Sequence, residues 1–402
     1  MTRQALCPDR LARIPAFLKA SYLDTGKLPC AQVLVAHGGE IAHFSSQGAA
    51  REDANAAIDE ASLFRIASMT KPVTSVAFMM LLEEGKVALD TPVHQVIPEF
   101  KDLAVYNGGG AGVAFLTKPC ARPMLMVDLL RHTSGLTYSF QNRSNVDAAY
   151  REGKLENWYG NLDLDAFVAA LGKIPLEFSP GEAWNYSVST DVLGAVVQRL
   201  SGMPLAEFFR TRIFEPLGMV DTFFTVPADK VHRLTDCYHM VPGKGRQMLD
   251  RGEKSSWSGV PRLVSGGGGL VSTALDYHRF CRMLLNGGEL EGARIVSRKT
   301  IELMTLNHLP GNGDLASWSQ SLFSEATNAG VGFGLGFAVN IDPAATLIPG
   351  SKGEFYWGGM YSTAFFVDPV EQVHMVFMTQ LGPSSTYPVR RELKTLIYAA
   401  LN

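Results

Sequence analysis

Phe64-Arg65-Ile66-Ala67-Ser68-Met69-Thr70-Lys71-Pro72 is the stretch on which the reading of this chain turns. Upstream, Leu63-Phe64-Arg65-Ile66 is β-like, rich in apolar and branched side chains. Downstream, Val73, Ala77, Met80 and Leu81 fall at i, i+4, i+7 and i+8, the apolar stripe of a helix. Glu84-Gly85 closes the pattern, because glycine is a common helix stop. Pro72 is tolerated only close to a helix start, where few amide hydrogen bonds are lost. The helix therefore begins near Ser68. Residues i and i+3 share a face, so Lys71 points the same way as Ser68. The helix N-terminus adds free amides and a positive partial charge at the serine. A serine that attacks a carbonyl needs a nearby base and donors for the oxyanion. This geometry offers a candidate for the first and part of the second. The bland alternative is Ser68 as an ordinary N-cap with Lys71 in solvent.

The S-x-x-K spacing means little alone. The chain holds 27 serines and 14 lysines among 402 residues, so chance supplies about one such pair, and this is the only one. Context has to decide. The 36 basic and 39 acidic side chains leave a net charge of −3 with no Lys/Arg-rich block, which argues against a nucleic-acid or anionic-membrane partner. With 46% apolar and 19% charged residues, the composition is that of a globular chain rather than a disordered one. The length exceeds one compact core, so two lobes or one elaborated domain are expected. The longest apolar runs, such as Val76 to Leu82, fall far short of a membrane helix. Met1 to Pro8 lacks the apolar core of an export signal, so export by that route is not expected and a cytoplasmic location is the expectation. Cys7, Cys30, Cys120, Cys237 and Cys281 are odd in number, widely spaced and read as reduced thiols.

Around the motif, residues 10–22 have helical spacing, and Ala31 to His37 and Glu40 to Ser45 form a hairpin pattern across Gly38-Gly39. Strand-like runs return at Gly332–Asn340, Glu354–Trp357, Tyr361–Val367 and Val373–Thr379, followed by a helix over Pro388–Leu401. Residues 91–264 carry helical stretches such as Met126–Arg131, Asp163–Leu171 and Thr190–Leu200 between long connections. The simplest organisation is an α/β lobe built from residues 1–90 and 265–402, with a mostly helical lobe, 91–264, inserted between. There is no G-x-S-x-G, H-E-x-x-H or Walker loop. Gly332, Gly334 and Gly336 alternate inside a strand-like run and precede no helix, so they are not a dinucleotide fingerprint.

Four further blocks join the Ser68 stretch in order: Leu129-Leu130-Arg131-His132-Thr133-Ser134-Gly135-Leu136, Trp184-Asn185-Tyr186-Ser187-Val188, Gly267-Gly268-Gly269-Leu270-Val271-Ser272-Thr273 and Trp357-Gly358-Gly359. With them the chain resembles the serine β-lactamase and penicillin-binding-protein superfamily, most closely the class C β-lactamase-like family VIII carboxylesterases. The resemblance implies the β-lactamase/DD-peptidase fold, a central antiparallel sheet flanked by helices with the site between two lobes. It implies that Ser68 is the nucleophile, that Lys71 and Tyr186 move its proton, and that the amides of Ser68 and Met360 form the oxyanion hole. No metal or organic cofactor is implied. The partner is a small-molecule ester.

Two departures bear on substrate. The Tyr motif ends in Val188 instead of Asn, which removes an amide that could bind a β-lactam or peptide side chain. The last motif opens with Trp357 instead of Lys, replacing a carboxylate-binding charge by an apolar wall and one N–H. Together with Gly358, Gly359 and Tyr138 these residues are the expected substrate contacts. The two departures favour neutral esters with an apolar acyl or alcohol part, and the expected function is hydrolysis of carboxylic esters with short to medium acyl chains. An acyltransferase using an alcohol acceptor, a β-lactamase or D-amino-acid peptidase, and a sensor that acylates without turnover are the alternatives. His132 is read as structural, His37 and His43 as hairpin residues, and Ser265–Gly269 as a tight backbone turn.

Overall fold

The two-glycine link is a hairpin turn. In the computed structural model of the chain, β1 (Cys30–His37) runs antiparallel to β2 (Glu40–Arg51). Gly38 and Gly39 have φ of 58° and 89°, as a two-residue turn matched to strand twist requires. Residues 6–53, 56–320 and 328–402 are described; residues 1–5, part of the stretch read for an export signal, lie outside them. The hairpin continues through β3 (Ala56–Ala57) and joins five strands from the far end of the chain. These are β4 (Val331–Phe333), β5 (Ala338–Asn340), β6 (Phe355–Gly358), β7 (Ala364–Asp368) and β8 (Val373–Met378). Across the sheet the order is β4-β5-β6-β7-β8-β1-β2-β3, every pair antiparallel.

The central strand β1 is buried on both faces, so it reads as a continuous apolar run. Leu34 and Ala36 face the larger apolar core. Val33 and Val35 face a second one, completed by Leu11, Ile14 and Leu18 of the N-terminal helical segment and by Leu393 and Ile397 of the C-terminal helix. This is the two-residue alternation of a strand sorting its side chains between layers. Three helices matter for the site: α1 (Thr70–Glu83), α2 (Ser189–Ser201), which packs on it, and α3 (Ala274–Leu285), which lies on β8. A fourth, α4 (Val389–Tyr398), covers the other face. Every residue of α1 from Thr70 to Leu81 is buried, so the stripe seen in the sequence understates it: the helix is enclosed on all sides.

Three readings change in detail. The single strand expected over Gly332–Asn340 is two short strands, β4 and β5. The chain folds back between them because Gly336 has φ 99° and a Cβ on Gly334 would stand 2.2 Å from the Met304 carbonyl oxygen. Regular alternation of small residues imitated an uninterrupted strand. The N-terminal helix is broken into Pro8–Leu11, Arg13–Leu18 and a wide-turn segment, Lys19–Leu23. Residues 91–264 hold helices and also two hairpins absent from the sequence reading, Ala104–Gly110 with Val113–Pro119 and Cys237–Val241 with Gly245–Asp250. Among the described residues no helix is long and apolar enough to cross a membrane.

Candidate active site

From Ser62 to Leu81 every residue is buried except Ser68. The backbone explains this outlet. A short strand, Phe64–Arg65, pairs with Val271–Ser272. The chain then kinks at Ala67, a non-glycine residue at φ 45°, into a 3₁₀ turn, Ala67–Met69, that opens α1. Such a left-handed alanine costs on the order of 1 kcal/mol and persists only where its surroundings over-determine it. Arg65 supplies much of that constraint. Its side chain is fully buried. The guanidinium donates to Asp250 Oδ2 at 2.7 Å, the Thr235 carbonyl at 2.6 Å and Ser255 Oγ at 3.0 Å. The face of Trp257 lies 5.3 Å away.

Ser68 Oγ is the meeting point of two donors. Tyr186 Oη donates to it at 2.6 Å and Lys71 Nζ at 3.1 Å. Lys71 also donates to the Gly267 carbonyl at 2.7 Å, and its Nζ stands 4.6 Å from the Tyr186 ring centre and 5.3 Å from that of Tyr138. The Tyr186 ring is fixed by neighbours on several sides: His132 at 5.1 Å, Tyr138 at 5.2 Å, Trp357 at 5.5 Å and Trp184 at 6.1 Å. Ser68, Lys71, Tyr186, Tyr138 and Trp357, named from sequence, thus converge on one place.

The Gly-rich turn is tight, as read, but for want of room rather than for unusual dihedrals. None of Gly266 to Gly269 has a left-handed φ. A Cβ on Gly267 would instead lie 2.4 Å from Asp191 Oδ2. Asp191 Oδ1 accepts the Gly267 amide at 3.1 Å and Ser265 Oγ at 2.5 Å. The same glycine therefore receives Asp191 on its N–H and offers its carbonyl to Lys71. Burial raises the Asp191 carboxyl above the usual range, with Lys71 pulling the other way. Sequence reasoning missed Asp191, because an acid in the first turn of a helix reads as an ordinary complement to the helix dipole. It also missed Glu156, which accepts the Ser139 amide at 2.6 Å. Burial pushes its carboxyl up to about 7, Asp191 adding to the rise and Lys71 opposing it.

Trp357 and Gly358 end β6, and the turn that begins at Gly359 packs against the segment that leads into Ser68. A Cβ on Gly359 would sit 2.4 Å from the Ile66 carbonyl oxygen, and Thr363 Oγ1 donates to that same oxygen at 3.3 Å. Met360 stands at the tip, 48% exposed, and its amide makes no backbone hydrogen bond among the described residues. The Ser68 amide lies in a first helical turn, whose N–H groups have no intrahelical acceptor.

Three sequence expectations need adjusting. Trp357 offers ring surface only, since its indole N–H is buried without an acceptor among the described residues. Val188 is fully buried in the larger apolar core and so presents no surface of its own to a substrate. Tyr138 is 7% exposed and stacks on the more open Phe140 at 4.8 Å, so the ring presented outward is that of Phe140. His132 behaves as read. It is buried, its Nδ1 lies 3.3 Å from Ser187 Oγ at the end of a buried hydroxyl chain through Ser189 to Ser134, and burial followed by the Lys71 charge holds it well below the ordinary histidine range. His37 and His43 lie on the β1–β2 hairpin, as expected. Among the described residues no group of three or more His, Cys, Asp and Glu side chains could hold a metal ion.

This architecture and sequence recur in known proteins. Protein Rv1367c of Mycobacterium tuberculosis is 36% identical over 363 residues, spanning 90% of this chain and 88% of that one. Esterase EstB of Burkholderia gladioli is 30% identical over 392 residues, spanning 93% and 91%. The solved structure of EstCE1, described as a hydrolase with promiscuous acyltransferase activity, superposes with a TM-score of 0.79 at 24% identity and covers 98% of this chain and 99% of its own. The family profile described as Beta-lactamase matches residues 18–399, and on that span the chain belongs to the beta-lactamase family.

Proposed function

We propose that the protein hydrolyses neutral carboxylic esters with short to medium acyl chains through an acyl-enzyme on Ser68. The observation that carries this reading is the convergence of Tyr186 Oη and Lys71 Nζ on Ser68 Oγ, at 2.6 and 3.1 Å. As Ser68 attacks the ester carbonyl, its proton passes to the Lys71–Tyr186 unit. The developing oxyanion is received by the amides of Ser68 and Met360. Collapse of the tetrahedral species expels the alcohol, which takes the proton back. Water then attacks the acyl-enzyme by the same relay and releases the acid. The aromatic surfaces of Trp357 and Phe140 support an apolar acyl or alcohol part. The site draws Ser68, Lys71 and Trp357 from the chain ends and Tyr138 and Tyr186 from the middle segment, which supports a cleft between a 1–90/265–402 lobe and a 91–264 lobe. EstB, a relative named an esterase, agrees with this chemistry.

A panel of p-nitrophenyl esters of rising chain length, run beside nitrocefin and with and without an added alcohol, tests it. Ester hydrolysis with a maximum at short to medium chains, and little nitrocefin turnover, is expected. Nitrocefin turned over faster than any ester contradicts the reading, and so does an acyl product formed only when the alcohol is present.

A further inference from the structure

Arg390 lies on α4, remote from Ser68 in sequence, yet it reaches the turn that carries Met360. Its Nη2 donates to the Gly359 carbonyl at 2.5 Å and to the Thr363 carbonyl at 2.8 Å. Between those carbonyls the Gly359 amide donates to Thr363 O at 2.8 Å and the Ser362 amide to Gly359 O at 3.1 Å. One guanidinium nitrogen therefore ties together both ends of the turn. The guanidinium also lies directly on the backbone of Gly358, where a Cβ would be 2.6 Å from Arg390 Cζ. The middle glycine of Trp357-Gly358-Gly359 is thus explained by Arg390, as Gly359 is explained by the Ile66 carbonyl. Arg390 sits in the first turn of its helix, where a cation opposes the helix dipole, so its placement serves something other than α4.

The carbonyl it grips belongs to the peptide unit that joins Gly359 to Met360. The oxygen of that unit accepts a charge-assisted hydrogen bond from Arg390, while its nitrogen carries the Met360 N–H. A hydrogen bond to the oxygen of an amide withdraws electron density from its nitrogen and strengthens that N–H as a donor. We propose that Arg390 is a positioning residue for the oxyanion hole, holding the Gly359–Met360 peptide in place and polarising it toward the developing oxyanion. This deepens the ester-hydrolase reading and rests on it, since it assumes that Met360 donates to the reacting carbonyl.

The test uses the full chain carrying Arg390→Gln or Arg390→Lys. It measures kcat and KM on p-nitrophenyl butyrate, the rate of Ser68 labelling by an organophosphonate, and the thermal midpoint. Loss of a whole oxyanion donor costs roughly 10²–10³ in kcat, so a donor left in place but loosened is expected to cost about tenfold to a hundredfold. In Arg390→Gln that loss falls in kcat with KM changed by less than about threefold, and phosphonate labelling slows to match. Arg390→Lys recovers part of both, and neither variant shifts the limbs of the pH profile, because Arg390 exchanges no proton in the reaction. If Arg390→Gln does not fold, Arg390→Lys still reports, because it keeps the charge but loses the planar guanidinium that lies on the Gly358 backbone. An active wild type whose folded variants keep full kcat, or lose only through KM, overturns the positioning role and leaves the hydrolase reading standing. A wild type that neither turns over esters nor labels at Ser68 overturns that reading and this inference with it.

Discussion

Ser68 stands between a phenol and an ammonium that also touch each other through the Tyr186 ring face. In the proposed mechanism these groups move one proton as a unit, so their mutational effects should not be additive. Lys71→Ala and Tyr186→Phe should each lower kcat by at least about 10²-fold, in the range of lost acid–base catalysis. The double variant should be scarcely worse than the poorer single one. Steady-state kinetics of the four-enzyme cycle checks this, and a Tyr186→Phe enzyme near wild-type rate contradicts it. These residues were legible in the sequence because type, short spacing and ordered blocks carry them. Asp191, Glu156 and Arg390 were not. Asp191 matters through a backbone glycine 76 positions away, Glu156 through burial that raises its carboxyl, and Arg390 through carbonyls 27 and 31 positions away. No local pattern encodes such partners.

The element that presents Ser68 is a two-residue strand and a kinked turn, too short to hold itself. Arg65 anchors it to Asp250, Ser255 and Thr235. Arg65→Met should leave the partly buried Asp250 uncompensated. Breaking a buried pair from one side costs roughly 3–5 kcal/mol, and the residual exposure of Asp250 places this case at the lower end. Urea unfolding measures it, and a variant within about 0.5 kcal/mol of wild type, the scatter expected of an inert surface site, removes the anchor role. At this scale the hairpin at Gly38-Gly39 and the helix after Ser68 were readable from turn chemistry and periodicity. The fold-back between β4 and β5 was not, because its glycines answer to Met304 and Ser75, residues brought close only by the tertiary fold.

Across the whole molecule, sheet and helix layers meet at a buried histidine pair, His278 of α3 and His374 of β8, with ring nitrogens 2.8 Å apart. Burial depresses both, to about 4 and about 3, with nearby Arg282 contributing to each and the partner ring adding to His374. Both imidazoles are neutral in the fold, whereas in the unfolded chain they take up protons near 6.5. The unfolded state therefore binds more protons below that pH. The pair's stability is fully present above about 6.5 and is lost as pH falls toward 4, by up to about 1.4 kcal/mol per pH unit for each histidine. His278→Gln should make the fall in urea midpoint between pH 7 and pH 5 visibly shallower, and an unchanged slope contradicts this account. That both chain ends build one sheet was legible from strand patterns at either end. The β-hairpins within 91–264 were hidden by glycine runs such as Gly108 to Gly110, which weaken a strand signal.

The central claim, that Ser68 is the nucleophile of this fold, is tested most directly by reacting the protein with an organophosphonate and mapping the adduct by peptide mass spectrometry. One adduct per chain on Ser68 is predicted, with no label and no ester turnover in a Ser68→Ala protein that keeps the wild-type circular dichroism spectrum. Label on Ser134 or Ser187, both fully buried here, or ester turnover surviving Ser68→Ala, would contradict it.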